Sequence, residues 1–275
     1  MIGTDGTDTG PVLVGVDVGG TFTDAVALVP GRSVTLAKVP TTPDDQSRGV
    51  LEAVDAVLER AGLRHRDVAR FAHGMTVGTN ALLEGRGADT ALVVTQGFGD
   101  LLELRRQDRA HLYRLSAAHP PPLVPRERVV EAAERCDAAG VRVPLTDAAV
   151  ADVVRRVRDM GVATVAVCLL HAYRHAAHER RLADALRAAL PGVHVSTSHE
   201  VLPAVREYER AATTVVDAYL NPLMRRYLGA LGARLGDAGL PTLEVMQSSG
   251  GLTDAATAAA HASRTVLSGP AGGVV

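Results

Sequence analysis

The chain has 275 residues, 47% of them hydrophobic, and a formal net charge of -2. That apolar content is enough to bury the cores of two domains or lobes. A near-neutral balance leaves no basic footprint for nucleic acid, and no apolar run reaches membrane-spanning length. Cys136 and Cys168 form no metal-like pair and fit a reduced, cytoplasmic compartment. Residues 1–11 lack the basic start and apolar core of a signal peptide and read as a flexible leader.

The first predicted strand, 12–18, leads into Gly19-Gly20-Thr21, and a return strand over 22–29 follows. Two glycines let the backbone bend sharply and approach a ligand closely. Thr21 and Thr23 add hydroxyls, while Asp17 can hold a hydrated Mg²⁺ or orient a water. One reading is an ordinary hairpin; the other is a cradle for nucleotide phosphates, favoured by Asp17 before the turn and Thr23-Asp24 after it. Neither a Walker-type loop nor a Gly-x-Gly-x-x-Gly occurs, so this turn is the remaining nucleotide candidate.

A third strand is predicted at 33–39, then a helix capped by Thr42, with Pro43 in its first position, that ends at Gly62. A strand near 69–73 delivers His73-Gly-Met-Thr-Val-Gly-Thr-Asn80 to a helix at 78–85, and a strand at 90–95 follows. The hydroxyls of Thr76 and Thr79 suit an oxygen-rich ligand, and Asn80 both donates and accepts, as a lactam requires. His73 is open between ligand contact and a core position. Prolines 120–122 and 125 make 108–125 a loop or boundary.

Beyond it, a helix begins near Thr146, a core strand covers 163–170, a helix 177–190 and a strand 193–197. A helical pattern over 203–236 is kinked or split at Asn221-Pro222. A strand at 242–247 then reaches Gln247-Ser-Ser-Gly-Gly251, where Ser248, Ser249 and Gly250 are donors facing substrate or phosphate. No Gly-x-Ser-x-Gly elbow makes the serines nucleophiles. His171, His175 and His178 are explained better as exposed histidines than as metal ligands.

Asp17-Val-Gly-Gly-Thr-Phe-Thr-Asp24 resembles the first phosphate motif of the hydantoinase/oxoprolinase family, within the actin, sugar-kinase and Hsp70 ATPase superfamily. Further matches follow in the family's order: His73–Glu84, Gly97-Phe98 through Arg106-Gln107, Val167–His171, Ser198–Val201, Arg206–Arg210, Met246–Gly251 and Ser268–Gly273. The resemblance implies an α/β protein with a ribonuclease-H-like N-terminal lobe followed by a second αβ region. The order of three antiparallel strands and then helix-linked strands agrees with it. Expected boundaries are 12–125 for that lobe, 126–200 for its continuation, and 201–275 for the start of a catalytic domain that is incomplete here.

The implied activity is ATP-dependent opening of a cyclic amide, hydantoin or 5-oxoproline, by phosphorylating the carbonyl oxygen before water attacks. A ketone carboxylase subunit, a small-molecule kinase of the same superfamily and a non-catalytic scaffold remain alternatives. By resemblance, Asp17 and Asp24 are catalytic, Asp17 holds Mg²⁺ through water, and Gly19, Gly20, Thr21 and Thr23 bind ATP phosphates. His73, Thr76, Thr79, Asn80, Arg106, Ser248, Ser249 and Gly250 bind substrate. A second hydantoinase-type subunit or a missing C-terminal half is the expected partner, and the chain alone is expected to be inert. Gly99 departs from the family's arginine, a contact that Arg105 would have to supply. Which of Arg206, Glu207, Glu209 and Arg210 faces the site stays open.

Overall fold

The structure, a computed structural model, describes residues 10–42, 44–114 and 116–268. Most of the leader, Pro43 and most of the Ser268–Gly273 motif lie outside the described residues. The elements are β1 (Val12–Val18), β2 (Phe22–Leu28), β3 (Thr35–Pro40), α1 (Gln46–Ala61), β4 (Val68–Met75) and α2 (Val77–Leu83). Next come β5 (Thr90–Thr95), α3 (Leu101–Leu104), β6 (Val129–Ala132), β7 (Arg135–Asp137), β8 (Gly140–Val143), α4 (Asp147–Met160) and β9 (Thr164–Cys168). The chain continues with α5 (Ala177–Ala189), β10 (His194–Thr197), α6 (Ser198–Val201), α7 (Glu207–Asp237), β11 (Leu243–Met246), β12 (Leu252–Asp254) and α8 (Ala255–Ala260).

The chain divides into two compact units, one holding residues up to Gly85 and from Leu223 onward, the other Arg86–Pro222. The first carries a six-stranded sheet in the order β12-β11-β4-β1-β2-β3. β1, β2 and β3 form an antiparallel meander, while β4 and β11 run parallel to β1. The order β3-β2-β1-β4-β11 is that of the ribonuclease-H-like lobe. Alternation in β1 sends Val12, Val14, Val16 and Val18 into the core and leaves Asp17 exposed on the other face. Val50, Val54, Val57 and Leu58 of α1 fill that core, with residues 0–2% exposed.

The second unit is a parallel sheet in the order β10-β9-β5-β6 plus the small β7-β8 hairpin. Helices α4 and α5 cover one face, and α3 with the first part of α7 covers the other. β5 and β9 are accordingly buried throughout and read as continuous apolar runs.

The two compact units divide near residues 85 and 222, not at the expected 125 and 200. β11 pairs with β4, which lies far earlier in sequence, so the later chain returns to the first sheet. Local patterning carries no trace of that return. The α1 cap is Asp45 rather than Thr42: its carboxylate accepts from the Ser47 amide at 3.2 Å and the Ser47 hydroxyl at 2.5 Å. The Thr42 hydroxyl instead accepts from the Gly49 amide. Helix α7 is not split at Pro222; the residues flanking it, Leu220, Met224 and Leu228, are all buried. Strands β6–β8, three or four residues each, are too short to have been read from the sequence.

Candidate nucleotide site

Because β1, β4 and β11 are parallel neighbours, their carboxyl ends share one edge of the sheet. Each opens into a segment singled out by the sequence: Gly19–Thr21, Thr76–Asn80 and Gln247–Gly251. Ligands of open α/β sheets bind at such an edge.

The first turn closes with the Gly19 amide donating to the Phe22 carbonyl at 3.0 Å. Thr41 pins it, its amide on the Thr21 carbonyl (2.9 Å) and its hydroxyl on the Gly19 carbonyl (3.0 Å). Gly20 and Thr21 are exposed, and neither amide has an acceptor among the described residues. Thr76 ties the second segment to the first, its amide and hydroxyl both donating to the Val18 carbonyl at 3.1 and 2.9 Å. The Asn80 amide donates to the Thr76 hydroxyl at 3.3 Å, and a Cβ on Gly20 would lie 3.8 Å from Asn80 Nδ2. Asn80 therefore faces the glycine turn at contact distance.

Thr79 accepts from the Leu267 amide at 3.0 Å. In the third segment, Gly250 and Gly251 take φ of 81° and 80°, the left-handed region that favours glycine. The Ser248 hydroxyl is engaged with the Arg264 carbonyl at 2.6 Å, whereas Ser249 is exposed.

Asp17 stands beside the first turn, opposite Asp24 on β2 and Gly74 on β4. A Cβ on Gly74 would lie 3.0 Å from Asp17 Oδ1, so the glycine leaves room for this carboxylate. Partial desolvation, and then the charge of Asp24, raise the Asp17 carboxyl above the usual carboxylate range. Asp24 is ion-paired to Lys38 at 2.8 Å. A cavity of about 480 Å³ lies on this open sheet face, with Gly15, Ala72 and Gly74 among its lining and Asp17 joining it to the turns.

Two expected ligand contacts are instead core residues. His73 is 0% exposed, its Nδ1 donating to the Val16 carbonyl at 3.1 Å and its Nε2 accepting from the Tyr227 hydroxyl at 2.7 Å. Burial lowers its pKa to about 4, so the ring is neutral and structural. Strand alternation puts it on the opposite face from Asp17. Thr23 is also 0% exposed, with its hydroxyl 3.1 Å from that of Thr41, for the same reason.

Arg106 belongs to the second unit, where it donates to Glu209 at 2.6 Å. Glu209 is thus engaged with Arg106. Arg210 is 1% exposed and donates to the Ser198 hydroxyl and to the Leu169 and Ala204 carbonyls. The guanidinium beside Gly99 comes from Arg126, not Arg105. A Cβ at residue 99 would lie 2.3 Å from Arg126 Nη2, which donates to Glu131 while Nε of the same guanidinium donates to Asp100.

Among the described residues, the one cluster with metal-ligand character is Glu134, Cys136 and His178, without His171 or His175. The Leu145 amide donates to His178 Nε2 at 3.4 Å, which puts the ring proton on Nδ1, 2.6 Å from Glu134. The Thr95 hydroxyl donates to the other carboxylate oxygen. This is a satisfied buried hydrogen-bond network. Burial pushes the Cys136 and Cys168 thiols up to about 11, so both stay protonated.

The ribonuclease-H-like lobe, with a glycine turn and an aspartate at its first strand end, defines a protein of the ATPase-like α/β class. Residues 13–190 match the hydantoinase/oxoprolinase N-terminal region and residues 210–275 the hydantoinase/oxoprolinase pattern that follows it. The chain belongs to the hydantoinase/oxoprolinase family. It is 36% identical to caprolactamase subunit alpha of Pseudomonas jessenii, over 94% of this chain and 38% of that one. Against 5-oxoprolinase 1 of Arabidopsis thaliana it is 35% identical, over 94% of this chain and 23% of that one. The solved structure of nucleotide-free acetone carboxylase superposes with a TM-score of 0.86 at 25% identity, covering 95% of this chain and 39% of that one. The chain thus spans well under half the length of these relatives. No helix among the described residues is long and apolar enough to cross a membrane.

Proposed function

We propose that the chain is the nucleotide-binding portion of an ATP-dependent hydrolase that opens a cyclic amide of the hydantoin, 5-oxoproline or lactam type. The observation that carries this reading is the gathering of the Gly19–Thr21 turn, Thr76–Asn80 and Asp17 at one sheet edge. Two exposed amides without acceptors among the described residues suit phosphate oxygens. The room left by Gly74 lets the Asp17 carboxylate point outward, where it suits a hydrated Mg²⁺. Asn80 offers a donor and an acceptor to an amide group. ATP with Mg²⁺ supplies the phosphoryl group that turns a poor amide electrophile into one with a good leaving group. The residues here then position and neutralise charge, which is most of what phosphoryl-transfer sites do. Names of relatives as enzyme subunits support a partner subunit or further sequence completing the site.

A ketone carboxylase is the second reading, favoured by the match to acetone carboxylase. Product analysis separates them: a ring-opened amino acid or ureido acid against a carboxylated ketone. The site itself is tested by Asp17→Asn in the complete protein, which keeps shape and removes charge. ATP turnover should fall at least tenfold with an unchanged circular-dichroism spectrum. Turnover within about threefold of the parent, under 1 kcal/mol of barrier, would overturn the assignment.

A further inference from the structure

The face that carries Asp17 holds a cation with no role so far. Lys38 is the only lysine in the chain. It lies opposite Asp24 on β2, which lies opposite Asp17 on β1, which lies opposite Gly74 on β4. Lys38, Asp24, Asp17 and Gly74 therefore form one row across four strands of the open face. We propose that Lys38 is the cation that meets the nucleotide phosphates in this site, with Asp24 as the residue that positions it. The proposal rests on the nucleotide reading above.

Three observations support it. The first is reach. Lys38 Nζ bridges both Asp24 oxygens, at 2.8 and 3.0 Å, and stands 5.0 Å from the centroid of the Phe22 ring. Phe22 closes the glycine turn, so the ammonium stands beside the turn's exit residue while remaining in the row that contains Asp17. The second is charge. Two carboxylates directly across a strand pair repel each other, and a polyanion approaching both would be repelled further. Lys38 neutralises Asp24 and leaves Asp17 available to a divalent cation. The third is release. Side-chain exposures of 57% and 52% mark the pair as solvent-accessible, and exposed ion pairs hold weakly. The ammonium can move from Asp24 to a phosphate oxygen without uncovering a buried charge.

The other cations of this face are placed differently. Arg70 is bidentate to Glu244 at 2.9 and 3.0 Å, and its register partner is Leu13, at the far end of β1 from Asp17. Arg60 donates to the Leu36 carbonyl at 2.8 Å, back along β3 from Lys38.

The test uses the chain with whatever further sequence and partner subunit it naturally has. An ATP derivative carrying an acyl group on its terminal phosphate transfers that group to an amine within reach, and peptide mass spectrometry locates it. The expected result is acylation of Lys38 that excess ATP suppresses, while the α-amino group shows no such protection. Lys38→Met should weaken ATP binding at least tenfold by equilibrium dialysis, and Lys38→Arg should restore it to within threefold. Asp24→Asn should lower labelling while retaining the fold. Unprotected or absent labelling of Lys38, or a Lys38→Met affinity less than tenfold weaker, overturns the proposal. If the parent binds ATP and Asp17→Asn impairs turnover, only the role of Lys38 falls; if the parent binds no ATP, the nucleotide reading falls with it.

Discussion

At the residue scale, His73 shows how neighbours on one motif part company. Asp17 and Gly74 lie on one sheet face and His73 on the other, although Gly74 directly follows His73 in sequence. The neutral ring makes stability pH-dependent. Folded, its pKa is about 4 against 6.5 in the unfolded chain, so the unfolded state binds the extra proton first. Stability is full above pH 6.5 and is lost as pH falls from there towards 4, by about 3 kcal/mol in total and about 2 kcal/mol at pH 5. Urea midpoints at pH 7.5 and pH 5 check this. The drop should be smaller in His73→Gln by that amount, and equal drops in parent and variant would remove the assignment. The strand-turn-strand at Gly19–Thr21 was legible because an apolar run before the glycines and another after them mark two strands and a tight turn. The sides taken by His73 and Thr23 follow from strand alternation, which the sequence does show. The hydrogen bonds from Nδ1 to Val16 and from Tyr227 to Nε2 are tertiary contacts that no local pattern encodes.

At the element scale, α1, α4, α5 and α7 were readable from apolar spacing, whereas the β7-β8 hairpin was not. Its strands are only three and four residues long, too short for alternation to mark them. Gly99 shows how a residue from another element can occupy the space beside a turn. A Cβ in the short turn after β5 would meet the ends of the Arg126 and Glu131 side chains, at 2.3 Å each, so a side chain at residue 99 must displace them. Gly99→Arg alone should destabilise the second unit by up to about 1 kcal/mol, because the new side chain pushes Arg126 off its exposed pairs with Asp100 and Glu131. Adding Arg126→Ala should recover most of that loss, a coupling that a double-mutant cycle in urea would read. Additive losses would show that the two positions do not share one space.

At the scale of the whole molecule, the sequence order of elements conceals an insertion. The second unit enters after α2 and leaves along α7, so the first sheet is completed only by β11. Fold class was legible because the β1–β4 succession precedes the interruption; the limits of the two compact units were not, because an insertion leaves local periodicity intact. The inserted unit has its own helices on both sheet faces and its own apolar clusters. Expressed alone, Arg86–Pro222 should therefore unfold in one cooperative urea transition, with native-like far-ultraviolet circular dichroism. A spectrum of unfolded chain would show that it needs the first unit.

Near the two ends of that unit, the Ala88 amide donates to the Tyr219 carbonyl at 2.9 Å. Gly87 lies so close to the same residue that a Cβ there would fall 2.0 Å from its ring. Entry and exit are thus clamped together. Chain entropy rises with the length of loop that must be closed, and only slowly. Once the inserted unit is folded, its whole length counts as a single short link between the flanking segments. The first lobe can then bring β11 to β4 as though the intervening residues were absent, and further growth of the inserted unit would add almost nothing to the entropy of closing that lobe.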